Sequence, residues 1–330
     1  MRFNALGIRR IRFSTFENMT VANIIQLDLD RQQLSHLPAD LEQYVALENL
    51  SAYDNCLQEI PLSLYGLAKL KQLSLGRNRL SHIPEAFWQL TGLRLLNLAE
   101  NQLTMMSERI GELTQLHTLD IAHNRLAILP DSIGQLSNLT YFLYVGNNPL
   151  TTLPASIGNL HKLRYFNATD ANLTTLPDSI GEMHSLIELR LYNNQLNTLP
   201  QTIGKLTQLR ELHLQNNKLR ALPDTLGDLG ALRELRLSNN ALTGLPASLG
   251  NLANLTCLDL RNNQLVALPD SIGDLTNLTF LDLRNNRLKT LPASLVQLPR
   301  LEKLDLRWVK LESYPSWLAE LEHRGCVVYV

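Results

Sequence analysis

LTFLDLRNNRLKTLPASLVQLPR, residues 278–300, is one copy of the unit that organises this chain. Its first half alternates, with Leu281 and Leu283 to one side and Phe280, Asp282 and Arg284 to the other. A period of two is the mark of a strand with one buried face. Asn286 follows where the chain must leave that strand, and Leu288, Leu291 and Pro292 close the inner half of the unit. A buried carboxamide offers two donors and an acceptor, enough to satisfy backbone groups that such a turn leaves unpaired. A segment this short cannot bury its leucines alone, so it needs copies stacked against it.

The copies are there at a step of 23. Leu47, Leu70, Leu93, Leu116, Leu163, Leu186, Leu209, Leu232, Leu255, Leu278 and Leu301 each open the form L-x-x-L-x-L-x-x-N-x-L-x-x-L-P-x-x-I-G-x-L-x-x. The coil near Leu139 carries one extra residue, and the coil opening at Ile24 is divergent. About thirteen coils over residues 24–324 follow from this count, with the apolar tail CVVYV, 326–330, behind them. An asparagine ladder runs through Asn55, Asn78, Asn101, Asn124, Asn148, Asn194, Asn217, Asn240, Asn263 and Asn286. The Asp or Ser of D-S-I-G at 131–134, 178–181 and 270–273 is suited to cap a single helical turn. The expected fold is an α/β repeat solenoid, a right-handed horseshoe with a concave parallel sheet and short helical or 3-10 segments on its convex side. Thirteen strands at a spacing of about 4.8 Å give an arc of roughly 60 Å.

These in-register copies resemble the leucine-rich repeat family over more than nine-tenths of the chain, and many copies in register are a specific signal. The L-P-x-x-I-G form is similar to the cytosolic subclass of plant intracellular Ras-group proteins, Ras-pathway scaffolds and many bacterial proteins. That resemblance implies protein binding. It also opens two alternatives: a recruiting or regulatory subunit of a signalling or ubiquitin-ligase-type assembly, and a bacterial effector delivered to a host cell. The repeats fill the chain, so no attached ligase domain is expected. Solenoid ends must hide their leucines. Residues 1–23, with the alternating I-R-R-I-R-F, read as an N-terminal cap; residues 24–324 as the solenoid; residues 325–330 as a C-terminal capping strand beyond Trp308, Val309 and Trp317.

Composition excludes several classes. A net charge of −1 supplies no field that would draw nucleic acid or an anionic membrane. No run of apolar residues is long enough to span a bilayer, and the N-terminus lacks the features of a secretory signal. Three distant cysteines, Cys56, Cys257 and Cys326, fit a reducing compartment, so a cytoplasmic location is expected, with delivery as an effector the alternative. No zinc-ligand spacing, nucleophile motif or phosphate loop is present, and the eight histidines form no H-E-x-x-H. A non-enzyme without cofactor or metal is expected, acting as a monomer or weak homodimer on a partner protein.

The informative residues lie between the leucines, at positions three, five, seven and eight of each coil. The first five coils carry small polar groups there, Tyr53 apart. Coils six to eight carry Phe142, Tyr144, Tyr165, Arg190 and Tyr192, with Asn167, Thr169 and Asp170 between. The same coils hold the extra residue, Ala168 for a core Leu and Ala171 for the ladder Asn. Aromatics with Arg are the residues that dominate protein interfaces, and broken local rules concentrate where function competes with folding. Further on come rows of Glu188, Glu211 and Glu234 beside Arg190, His213 and Arg236, then Asp259, Asp282 and Asp305 beside Arg261, Arg284 and Arg307. These read either as solvated pairs of little energetic weight or as a docking strip. The expected protein-binding set is Phe142, Tyr144, Tyr165, Asn167, Thr169, Asp170, Arg190, Tyr192, His213 and Arg236.

Overall fold

The computed structural model describes residues 21–330. Among them, fourteen strands of three residues form one sheet in chain order, from β1 (Gln26–Asp28) to β13 (Lys303–Asp305) and β14 (Val327–Tyr329). Neighbours are parallel and in register at the repeat step, as in Leu212↔Leu235 and Leu258↔Leu281. The central residue of each strand turns inward, and coil after coil adds its leucines to one continuous core. The extra residue is absorbed ahead of β6 (Phe142–Tyr144): the N–H groups of Thr140 and Tyr141 both donate to His117 O, and pairing resumes at Thr118↔Phe142.

Each ladder Asn makes the bonds its position demands. Asn217 Nδ2 donates to Leu214 O and Leu191 O at 3.0 Å each, while its Oδ1 accepts from Leu196 N at 2.9 Å. Where Ala171 interrupts the ladder, Leu150 N turns to Asn148 O at 2.8 Å, across Pro149. A proline φ suits the centre of such a tight turn. The core exception has a packing reason as well. Phe166 stands where most coils have Leu, offsetting the volume lost at Ala168 two residues on, and both are buried.

Position eight is left-handed throughout: Arg77, His123, Asp170, Asn193, Asn216, Asn239, Asn262 and Asn285 have φ between 52° and 57°. Asn and Asp tolerate this conformation better than other side chains. The frequent Asn-Asn doublet therefore divides its work, the first residue making the turn and the second filling the ladder.

The far side of each coil is a 3-10 turn, five residues long from Leu62–Gly66 to Ala293–Gln297. The expected Asp or Ser cap is corrected here. Proline occupies the N-cap at Pro130, Pro177 and Pro269, without a side-chain capping bond. In five of the turns the next Ser or Thr instead donates its hydroxyl backwards to the preceding coil, as Thr202 does to Asp178 O and Thr225 to Gln201 O, both at 2.6 Å. The glycine of I-G makes this stacking possible. A Cβ on Gly204 would sit 2.3 Å from Thr225 O.

Beyond β13 the pattern changes to an α-helix, α1 (Leu318–His323), and β14 then joins the sheet as its fourteenth strand. Leu318, Leu321 and Cys326 are buried there, against the exposed core end that the last coil would otherwise leave. At the other end Val21–Asn23 forms a 3-10 turn, and the rest of the expected cap, including I-R-R-I-R-F, lies outside the described residues. No helix among the described residues is long and apolar enough to cross a membrane.

Candidate functional site

Register places positions three and five in two rows across the open face of the sheet. One row reads Thr118, Phe142, Tyr165, Glu188, Glu211, Glu234, and the other Asp120, Tyr144, Asn167, Arg190, His213, Arg236. The strands carrying the centre are β6, β7 (Tyr165–Asn167), β8 (Glu188–Arg190), β9 (Glu211–His213) and β10 (Glu234–Arg236).

Three of the expected aromatic residues meet. The Phe142 and Tyr165 rings lie 4.9 Å apart between centroids, and Phe142 and Tyr144 5.4 Å. All three are half-buried, because each covers its neighbour. Arg164 stands 6.0 Å from the Tyr165 ring centroid on the outer flank, and a shallow cleft beside the patch is lined by Tyr144, Tyr165, Phe166, Asn167, Glu188 and Arg190. Tyr192 is half-buried at position seven of the following coil. Burial also acts on the neighbouring polar groups. It pushes the Tyr144 hydroxyl above its usual range and lifts the Asp120 carboxyl to about 6, against the N–H that Ala122 donates to it.

Other expected residues have structural duties. Thr169 is only 2% exposed, so its place in a binding surface is withdrawn. Position seven faces inward enough to be covered when its own residue is small. Asn167 Oδ1 accepts from Thr169 N at 3.0 Å, and Asp170, exposed and left-handed, accepts from Asn193 Nδ2 at 2.6 Å.

The C-terminal rows also differ from expectation. Asp259, Asp282 and Asp305, expected as solvated pairs or as a docking strip, are all buried, the last two at 1% and 0% exposure. Each accepts the backbone N–H of the residue two places on, and that residue is an Arg folded over it. Arg284 reaches Asp282 Oδ2 at 2.6 Å and Asp305 Oδ2 at 3.5 Å, and Arg307 reaches Asp305 Oδ2 at 2.7 Å. Burial works against the charged form of Asp305, but hydrogen bonds from Arg307 and the charge of Arg284 outweigh it and hold that carboxyl below its usual range. Asp259, whose Arg261 stands further off at 3.5 Å, is pushed up by burial. A carboxylate that ties off its own turn and is covered by its own arginine has little left to offer a partner.

The middle rows behave differently. Arg190 pairs with Glu188 and Arg236 with Glu234 along the same strands. His213, between them, has Nε2 3.2 Å from Glu211 Oε2 and 3.7 Å from Glu188 Oε1. Glu188, Glu211 and His213 thus converge, their nearest ligand atoms all within 4.8 Å of one another. Motif spacing missed this group because its members are 23 and 25 residues apart. The columns of the stacked repeat do bring the three side by side, where they read as charged pairs or a docking strip rather than as one group.

The family profile described as a leucine-rich repeat region matches residues 77–163, 153–243 and 245–323. A search of curated proteins gives no match. Among solved structures, the plant peptide hormone receptor RGFR1 in complex with RGF2 is 34% identical with a TM-score of 0.74, covering 87% of this chain and 52% of its own. This chain therefore spans about half the length of that receptor chain. A leucine-rich-repeat protein of Leptospira interrogans is 28% identical with a TM-score of 0.54, covering 94% of this chain and 96% of its own. An internalin of Listeria monocytogenes is 25% identical with a TM-score of 0.66, covering 85% and 86%. The repeat unit, the parallel sheet built from it and the matched profile agree: this chain belongs to the leucine-rich repeat family.

Proposed function

We propose that this chain is a non-catalytic interaction module that holds a partner protein on the concave face of its sheet, centred on coils six to eight. The observation that carries the reading is the patch of Phe142, Tyr144 and Tyr165 beside Arg190, held on three adjacent strands of a rigid sheet. Large aromatic side chains with Arg at the margin supply most of the binding energy in protein interfaces. A surface whose backbone is fixed by pairing on both sides binds at little ordering cost. The relative RGFR1, solved with RGF2, supports a peptide or protein ligand for this fold. The rival docking strip is disfavoured by the burial of Asp282 and Asp305 beneath their own arginines. The reading is completed by a cytoplasmic location and by action as a monomer or weak homodimer; a recruiting subunit or a delivered effector would use the same face.

The test is photo-crosslinking in cells that make the protein, with a photoreactive residue at Tyr165, Arg307 or the convex Gln201. A protein adduct from position 165 and none from 201 is the expected result. Adducts from 201 alone would place binding on the convex side, and adducts from 307 alone on the charged strip; either would overturn the proposal.

A further inference from the structure

The Glu188–Glu211–His213 group has a charge problem that its neighbours do not share. β8, β9 and β10 set Glu188, Glu211 and Glu234 side by side in register. Like charges directly opposed on adjacent strands destabilise a sheet. Glu188 and Glu234 each have an arginine two residues on, at Arg190 and Arg236. Glu211, in the middle, has only His213 among the described residues. With a neutral imidazole the three strands carry three carboxylates and two guanidinium groups, one negative charge in excess, at the spot where an imidazole nitrogen also points.

The geometry points to a divalent transition-metal site there, and we propose that Glu188, Glu211 and His213 bind Zn²⁺ from the concave face. Around a tetrahedral zinc ion with bonds of about 2.0–2.2 Å, ligand atoms are about 3.3–3.6 Å apart. His213 Nε2 stands 3.2 Å from Glu211 Oε2 and 3.7 Å from Glu188 Oε1, bracketing that separation before any side chain moves. The third edge of the triangle is within 4.8 Å. Imidazole nitrogen with carboxylate oxygen suits zinc and its neighbours among the transition metals better than calcium or magnesium, which take oxygen ligands throughout.

The surroundings fit an ion that arrives from solution. Glu188 and His213 are 14% and 12% exposed, held in place by packing, whereas Glu211 is 44% exposed and leaves the solvent side open. Three protein ligands leave a coordination position there for water or for a donor from a second molecule. The buried Oε1 of Gln215, two residues further along the same face, has no hydrogen-bond partner among the described residues. Arg190 is the competitor, since it shares the Glu188 carboxylate. Its side chain is 44% exposed and free to turn outward when an ion takes that oxygen. The site borders the proposed partner surface at Arg190, but ion binding needs no partner and is tested without one.

The experiment is calorimetric titration of the purified, chelator-treated full chain with ZnCl₂ near neutral pH. One ion per chain with micromolar affinity is expected. His213→Gln and Glu211→Gln should each weaken it by about tenfold or more, the scale on which losing a metal-site group is felt. Glu234→Gln, which removes the same charge one strand away, should change it by less than about twofold, and Arg190→Gln should strengthen it by removing the competing cation. Circular dichroism confirms that each variant is folded. No zinc uptake up to millimolar concentration would overturn the proposal. So would uptake that His213→Gln leaves unchanged, or a loss on Glu234→Gln as large as on Glu211→Gln.

Discussion

Replacing Asn217 by Ala tests the repeat register and the accounting of its buried bonds together. The side chain makes four backbone bonds, the longest from Nδ2 to Gln215 O at 3.3 Å, and the other three are not equivalent. Leu191 O and Leu214 O each keep a second donor, from Asn194 Nδ2 and Asn240 Nδ2, both at 3.0 Å. Losing one of two donors costs about 0.5 kcal/mol at each carbonyl. Leu196 N has no substitute, and an orphaned buried N–H costs about 1–3 kcal/mol. The sum is about 2–4 kcal/mol. The chain itself supplies the comparison, since at Ala171 the equivalent N–H of Leu150 escapes to Asn148 O across Pro149. Coil eight has Gln195 in the place of that proline, with its own N–H tied to Leu173 O at 2.9 Å, so the same escape is not prepared. The control sits one residue earlier in the neighbouring coil. Asn193 is left-handed at φ 57°, so Asn193→Ala should cost about 1–2 kcal/mol from the backbone strain imposed on a Cβ. Asn193→Gly, which relieves that strain, should stay within about 0.5 kcal/mol. A surface reading of position eight would have expected both to be neutral. Urea unfolding at 25 °C followed by circular dichroism, with slopes compared among variants, reads these differences. A cost below about 1 kcal/mol for Asn217→Ala, or one matched by Asn193→Gly, would refute the reasoning.

Asp120 should impose a pH dependence of unusual sign for a carboxylate. Its folded value near 6 lies above the unfolded one, so the folded chain holds the proton longer, and stability falls as pH rises from about 4 to about 6, by about 3 kcal/mol in all. Asp120→Asn keeps an acceptor for Ala122 N and should flatten that part of the profile while gaining stability above it; urea midpoints across the range that keep the parent's slope would rule this out. On the convex side, Gly204→Ala should cost about 1–3 kcal/mol, since backbone rather than a side-chain tip stands 2.3 Å from the new methyl, whereas Gly230→Ala meets nothing within 4 Å and should be neutral or slightly stabilising. Equal melting shifts for the two glycines would mean that I-G is not a packing contact. The pair Tyr144→Ala and Tyr165→Ala, which a reading of fully solvated side chains would leave thermally neutral, should lower stability by about 1–2 kcal/mol because the rings cover one another through Phe142, and calorimetry of the double variant checks it.

The repeat made most of the fold legible. A step of 23 settles which leucines share a core, which asparagines form the ladder and that the strands must be parallel, because each follows from one coil lying on the next. The aromatic patch was legible for the same reason: the rows through Phe142 and Tyr165 can be written down from the column positions alone. What a column cannot show is how far each outward side chain ends up from water. Asp282 and Glu211 look alike by local spacing, each an acid two residues before a base, although Asp282 stands at position five of its coil and Glu211 at position three. One is sealed by its own arginine and ties off its own turn; the other is half exposed and shares a histidine with the strand beside it.

That difference belongs to tertiary structure because burial on the open face is decided by the side chains packed around a residue, both along its own strand and one coil away, not by the residue itself. A small residue such as Thr169 disappears beneath the side chains of adjacent coils, and Asp259, Asp282 and Asp305 at position five are each covered by the arginine that follows. The left-handed turn at position eight and the proline at the head of most 3-10 turns, with Ser107 and Asp40 among the exceptions, are likewise set by how the chain closes each coil. The sequence by itself determined the solenoid, its core and the columns from which any binding face must be drawn. Only the stacked structure decided which polar groups in those columns are spent on holding the coils together and which remain free to meet another molecule. The physical reason is the strand spacing: at about 4.8 Å between coils, every outward side chain is solvated or sealed by the two that flank it.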